Sequence, residues 1–138
     1  MLRRDILETV RFDPRFTSYG FEDVEWGIRL TESFQVKHID NTCSHMGVMN
    51  KNQVFARMRE ASENHYLLYT LYPSQIGSVG AIRFAKIFQH LPDKLLLSMD
   101  TLLAFLFRQT PWNGLMYLFF QCDKVVLLAR KFEVERRT

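Results

Sequence analysis

The sequence predicts an α/β chain in two parts: a mixed segment over residues 1–49 and a mostly helical region over residues 50–138. Three observations predict it. Phe34, Val36 and His38 alternate with Gln35, Lys37 and Ile39, the period of a strand. Beyond Asn50, Val54, Met58, Ala61, His65, Leu68 and Tyr72 step by three and four, the period of a helix face. Between the two, at Gly47 to Asn50, the texture of the sequence changes, which marks the one domain boundary.

Taken in order, RRDILETV (3–10) reads as a short helix with Ile6, Leu7 and Val10 on one side. Asp13-Pro14 is a turn signal. Residues 21–32 form a second helix, with Glu25 and Arg29 at i,i+4 in the favourable order. A strand over 34–39 follows, then a turn at Asp40-Asn41 and a short strand or extended loop from Thr42 to His45. Asn50 with Gln53 three residues on reads as a capping box opening a long helix that ends at Pro73. After a Gly- and Ser-containing break at 76–80, further helices are expected over about 81–91, 93–108 and 110–131, the last two opened by Pro92 and Pro111. The charged end, EVERRT, is expected to fray.

At 138 residues the chain can bury about two-thirds of its unfolded surface. With 47% hydrophobic and 24% charged residues it is a globular sequence rather than a disordered one, and twelve Phe supply a packed core. The net charge of +3 is unevenly placed: residues 1–45 carry six basic against eight acidic side chains, and the basic excess lies beyond them. The basic residues are neither clustered nor interleaved with aromatics in the manner of a nucleic-acid surface. Cys43 and Cys122 form no C-x-x-C and no zinc spacing, which suits a reducing cytoplasm. Arg3, Arg4 and Asp5 interrupt any signal-peptide core, and no run of 18 apolar residues exists.

The chemistry concentrates in YGFEDVEWGIRL, residues 19–30. Glu22 and Asp23 fall in the first turn of the predicted helix, where unpaired amides and the positive end of the dipole favour a carboxylate by about 0.3–1 kcal/mol. Such a carboxylate can take a proton from a hydroxyl nucleophile. The bland reading, a helix that simply begins with acids, stands beside it. Trp26 can cover a sugar face or pack in the core, His45 can ligate a metal, and Lys51 can reach a phosphate.

Together, Phe12-Asp13, Gly20, Glu22-Asp23, Glu25, Gly27, Arg29-Leu30 and His45 resemble the C-terminal end of a family 2 glycosyltransferase catalytic domain of GT-A fold. The likeness is specific over residues 2–50. It implies the C-terminal portion of a GT-A (Rossmann-like) domain followed by a mostly α-helical tail. It also implies Asp23 as general base in an inverting transfer, Glu22 and Trp26 on the acceptor, and His45 at a divalent metal (Mn or Mg). The donor would be a nucleotide-sugar and the acceptor a saccharide or lipid-linked sugar. The family's upstream half carries an Asp-x-Asp motif for the metal and diphosphate, and no D-x-D occurs in this sequence. The resemblance therefore implies a C-terminal piece that is inactive alone, with the metal expected only alongside the upstream half. A cytoplasmic location, peripheral to the inner face of a membrane, would suit it. The broad apolar faces beyond residue 81 are expected to pack on one another, on the upstream half, on a second copy or on a membrane surface. The rival reading is a non-catalytic helical interaction or membrane-peripheral module that retains a transferase-like segment.

Overall fold

The computed structural model describes residues 4–37, 40, 47 and 49–137. Seven helices run through them: α1 (Arg4–Thr9), α2 (Glu22–Ser33), α3 (Lys51–Leu71), α4 (Pro73–Ile76), α5 (Gly80–Phe88), α6 (Asp93–Gln109) and α7 (Asn113–Arg137). About three-quarters of the described residues are helical and none lies in a strand, which corrects the expected α/β, GT-A class to an all-helical one. The reason lies in Phe34 to Lys37. Phe34 leaves α2 in extended conformation, yet all four residues are exposed and have no ladder to join. Alternation alone does not make a strand without a neighbouring backbone to bond. The rest of the expected strands, His38, Ile39 and Thr42 to His45, lies outside the described residues.

Helix α7 is the hub, packing on α6, α5 and α3. Its Val126, Leu128, Ala129 and Phe132 close on Ile82 and Ala85 of α5 and Leu96 of α6, all buried. Tyr66 and Tyr69 of α3 meet Phe132 edge-on, with centroids 5.0 and 5.1 Å away. A second cluster joins Phe55 and Met58 of α3 to Phe107 of α6, the two Phe rings stacked at 4.4 Å. Helix α3 starts as its sequence predicts. The Asn50 side chain accepts from the Gln53 amide at 3.0 Å, and the Gln53 side chain accepts from the Asn50 amide at 3.0 Å.

One polar cluster crosses this interior. Arg59 of α3 donates to Asp100 of α6 through Nη1 at 2.5 Å and Nη2 at 3.1 Å, and to Asp123 of α7 through Nη1 at 3.0 Å. Arg130 approaches Asp100 from α7 at 3.7 Å. Burial pushes the Asp100 carboxyl up, but Arg59 and Arg130 outweigh it and hold the group below its ordinary range. Asp123 is fully buried and its Oδ1 has no hydrogen-bond partner among the described residues. Desolvation lifts its carboxyl to about 7, Arg59 pulling it down and Asp100 pushing it further up.

The two acids therefore act oppositely on stability. Asp100, depressed when folded, stabilises above its ordinary value and loses that contribution as the solution is acidified. Asp123, raised from 3.8 to about 7, favours the fold fully below pH 3.8 and loses that contribution as pH rises through 7. Asp123→Asn removes the second effect. Relative to the parent chain, the variant should gain stability between pH 5 and pH 7.5, read from urea midpoints at about those two values. An offset that is the same at both would contradict this account of Asp123.

Candidate functional site

The turn that delivers the carboxylates is bent by two consecutive left-handed residues, Gly20 (φ 81°) and Phe21 (φ 71°). Glycine adopts that conformation freely, whereas for Phe it costs about 1–2 kcal/mol. Helix α3 holds Phe21 there. The Asn64 side-chain amide, itself buried, donates to the Ser18 carbonyl at 2.6 Å and the Gly20 carbonyl at 2.7 Å. The Phe21 ring stacks on His65 of α3, centroids 4.4 Å apart, with Lys124 of α7 5.7 Å from its centroid. His65 is buried, and desolvation followed by the charge of Lys124 lowers its imidazole to about 4, so the ring is neutral near pH 7. Tyr19 lies against the Arg57 guanidinium at 4.7 Å.

Out of this turn α2 begins with Glu22 and Asp23, and its acids divide by environment. Asp23 is exposed, with Oδ1 accepting from the Val24 amide at 2.9 Å. Glu22 is half-buried, and its Oε2 is buried with no hydrogen-bond partner among the described residues. Glu25 is fully committed. Arg29 donates to it through Nε at 2.6 Å and Nη2 at 2.8 Å, and the Tyr72 hydroxyl donates to it at 2.9 Å. Burial first, then the bond to Glu25, pushes the Tyr72 phenol up. Arg29 also donates to the Arg11 carbonyl at 2.7 Å, which ties the Phe12-Asp13 segment to α2.

Trp26 ties down the same segment. Its indole N–H donates to the Val10 carbonyl at 2.6 Å and its ring stacks on Phe12 at 5.1 Å. Asp13 is engaged by Arg15, whose hydrogen bonds hold its carboxyl below the ordinary range. Phe12, Asp13 and Arg15, but not Trp26, wall a cleft of about 520 Å³ that also takes in Arg11, Glu25, Arg29 and Tyr72. A smaller cavity of about 270 Å³ beside the turn is lined by Tyr19 and Phe21. Lys51 lies at the far end of α3 from the turn. It donates to the Arg108 carbonyl at 2.7 Å and shares a cleft with Arg59 and Arg108. His45 lies outside the described residues.

The structure thus brings Glu22, Asp23 and Trp26 onto one helix and places Lys51 elsewhere. Among the described residues no group of three or more His, Cys, Asp or Glu is placed to hold a metal ion. They do not by themselves form a site for Mn or Mg. Sequence reasoning did not find Asn64, His65 or Tyr72. Asn64 and Tyr72 reach across more than forty residues of chain, and no local spacing announces that reach. No family model, curated protein or solved structure matches the chain.

Two substitutions test how the turn is held. Asn64→Ala leaves two carbonyls without their donor and should cost about 1–3 kcal/mol in unfolding free energy. Gly20→Ala should cost about 1–2 kcal/mol through its backbone angle, because the added Cβ would meet the Ala61 Cβ at an ordinary 3.5 Å. Urea unfolding of both variants checks this. Values near zero would mean that α3 does not hold the turn.

Proposed function

We propose that the chain contributes the acceptor side of a glycosyltransferase, with Asp23 as the base that deprotonates the acceptor hydroxyl. The observation that carries this reading is the left-handed Phe21, held by Asn64 and His65 immediately before the two carboxylates. A bulky residue at positive φ persists only where its surroundings over-determine it, and such strain clusters at functional sites. The division among the acids supports the same assignment. Glu25 is occupied by Arg29 and Tyr72, whereas Asp23 is open to solvent. Among the described residues Glu22 carries an unused acceptor oxygen, and a buried oxygen without a partner calls for an explanation that an acceptor hydroxyl would supply.

In this reading Asp23 takes the hydroxyl proton as the acceptor oxygen attacks the anomeric carbon of a nucleotide-sugar. The nucleotide leaves from the opposite face, which inverts that centre. Glu22 orients the acceptor by accepting from its other hydroxyls. Trp26 would contribute to acceptor binding indirectly, through its hold on Phe12 and Val10. The resemblance implies that the nucleotide-sugar and a divalent metal are bound by an Asp-x-Asp-bearing half.

One observation favours the second reading, a helical interaction module without catalysis. The apolar cavity beside the turn is lined by Tyr19 and Phe21 rather than by Asp23.

Turnover of the chain together with the Asp-x-Asp-bearing half decides between the two. Asp23→Asn keeps the shape and removes the base, so kcat should fall about 10²–10⁴-fold with little change in donor affinity. Glu22→Gln should instead raise the KM for the acceptor. If Asp23→Asn kept normal kcat while Glu22→Gln was inactive, the roles would be reversed. Full activity of both variants would remove the assignment.

A further inference from the structure

Away from the carboxylate turn, α5, α6 and α7 enclose an apolar groove of about 540 Å³, walled by Phe84, Phe88, Met99, Leu103 and Val125 among others. Its rim residues Phe84, Leu102 and Leu118 are each more than half exposed. Phe105, Trp112 and Tyr117 continue the exposed apolar surface past the rim, and Trp112 is 73% exposed. A soluble monomer seldom leaves this much aromatic and aliphatic surface uncovered.

The charges around the groove are of one sign. Between residues 101 and 122 the sole charged residue is Arg108. On α6, Leu95, Leu102 and Phe105 share one side by helical spacing, and Lys94 and Arg108 lie along its flank, both exposed. Arg83 is exposed on α5, and Lys51 joins Arg108 in the cleft on the α3 side, where Arg59 is already paired with Asp100 and Asp123. The two acids of α6 are already taken: Asp93 by Arg130 at 3.0 Å, and the buried Asp100 by Arg59. An apolar surface flanked by cations, with no uncommitted acid on α5 or α6, complements an anionic apolar partner.

We propose that this face docks onto the surface of an anionic lipid bilayer, the apolar rim entering the acyl boundary and Arg83, Lys94 and Arg108 meeting the headgroups. No described helix is long and apolar enough to cross a membrane, so the association lies in the interface plane. Trp112 and Tyr117 have the amphipathic rings that settle at headgroup level. A second copy of the chain fits less well. A two-fold contact through this face would bring the same cations against one another, with no acid to answer them. The proposal is independent of the role given to Asp23.

Flotation of the chain with phosphatidylcholine vesicles, with and without phosphatidylglycerol, tests it. Binding should be at least about tenfold tighter to the anionic vesicles and should weaken as salt is raised. Trp112 emission should be quenched by bromine-labelled acyl chains. Leu102→Ser with Phe105→Ser should lower binding about tenfold or more while helical circular dichroism is unchanged. Lys94→Glu with Arg108→Glu should remove the preference for anionic vesicles, at roughly fivefold per cation lost. No flotation, equal binding to both vesicle types, or unquenched Trp112 would overturn the proposal. So would a dimer in light scattering that the Ser variant dissociates while vesicle binding stays unchanged, because a second copy would then be the occupant.

Discussion

Helix α3 has to satisfy two neighbours at once, and the rest of the molecule follows from how it does so. From its first half, Phe55 and Arg59 reach α6 and α7, the ring onto Phe107 and the guanidinium between Asp100 and Asp123. From its second half, Asn64 and His65 reach the chain ahead of α2, and Tyr72 just past its end reaches Glu25. A single 21-residue helix therefore connects the carboxylate turn to the helical core. The contacts at both ends are polar groups whose partners lie far away in sequence. Loss of either set leaves buried donors or acceptors unmatched, which is costlier than losing the same bonds at the surface.

This arrangement also sorts the acids. Glu25, Asp100 and Asp123 are buried and each faces an arginine, so these carboxyl groups are already engaged within the interior. The pair at the start of α2 is not committed in this way: Asp23 is exposed, and Glu22 has a buried oxygen without a donor among the described residues. The buried ion pairs specify which helices meet more than they stabilise, since desolvation offsets much of their attraction.

Much of this was legible in the sequence wherever the determinant was local. The Asn50–Gln53 capping box, the Glu25–Arg29 pair, the break near Gly77 and the start of α6 directly after Pro92 follow from spacing, and the structure has them, whereas α7 begins at Asn113, two residues beyond the expected Pro111. The start of α2 at Glu22 was legible too, because two acids beside a glycine mark a helix opening. The strand over 34–39 was not a sound inference. Its alternation is present, but strands are made by partners, and among the described residues none reaches Phe34 to Lys37. The left-handed Phe21 was illegible for a related reason, since Asn64 and His65, which hold it, come from more than forty residues away. Arg59 carries no local signal of its part in the interior, because the packing of α6 and α7 brings Asp100 and Asp123 to it from 41 and 64 residues away.

The central claim, that α3 holds the carboxylate turn as part of the folded core, is tested most directly by native-state hydrogen exchange. The amides of Glu25 to Leu30 in α2 and those of Met58 to Leu68 in α3 are compared for opening free energy and its dependence on denaturant. If the turn is anchored as described, both sets open together, with the same free energy and the same slope. An α2 that exchanges at a much lower free energy while α3 stays protected would contradict the account, because the carboxylates would then sit on a segment that opens on its own.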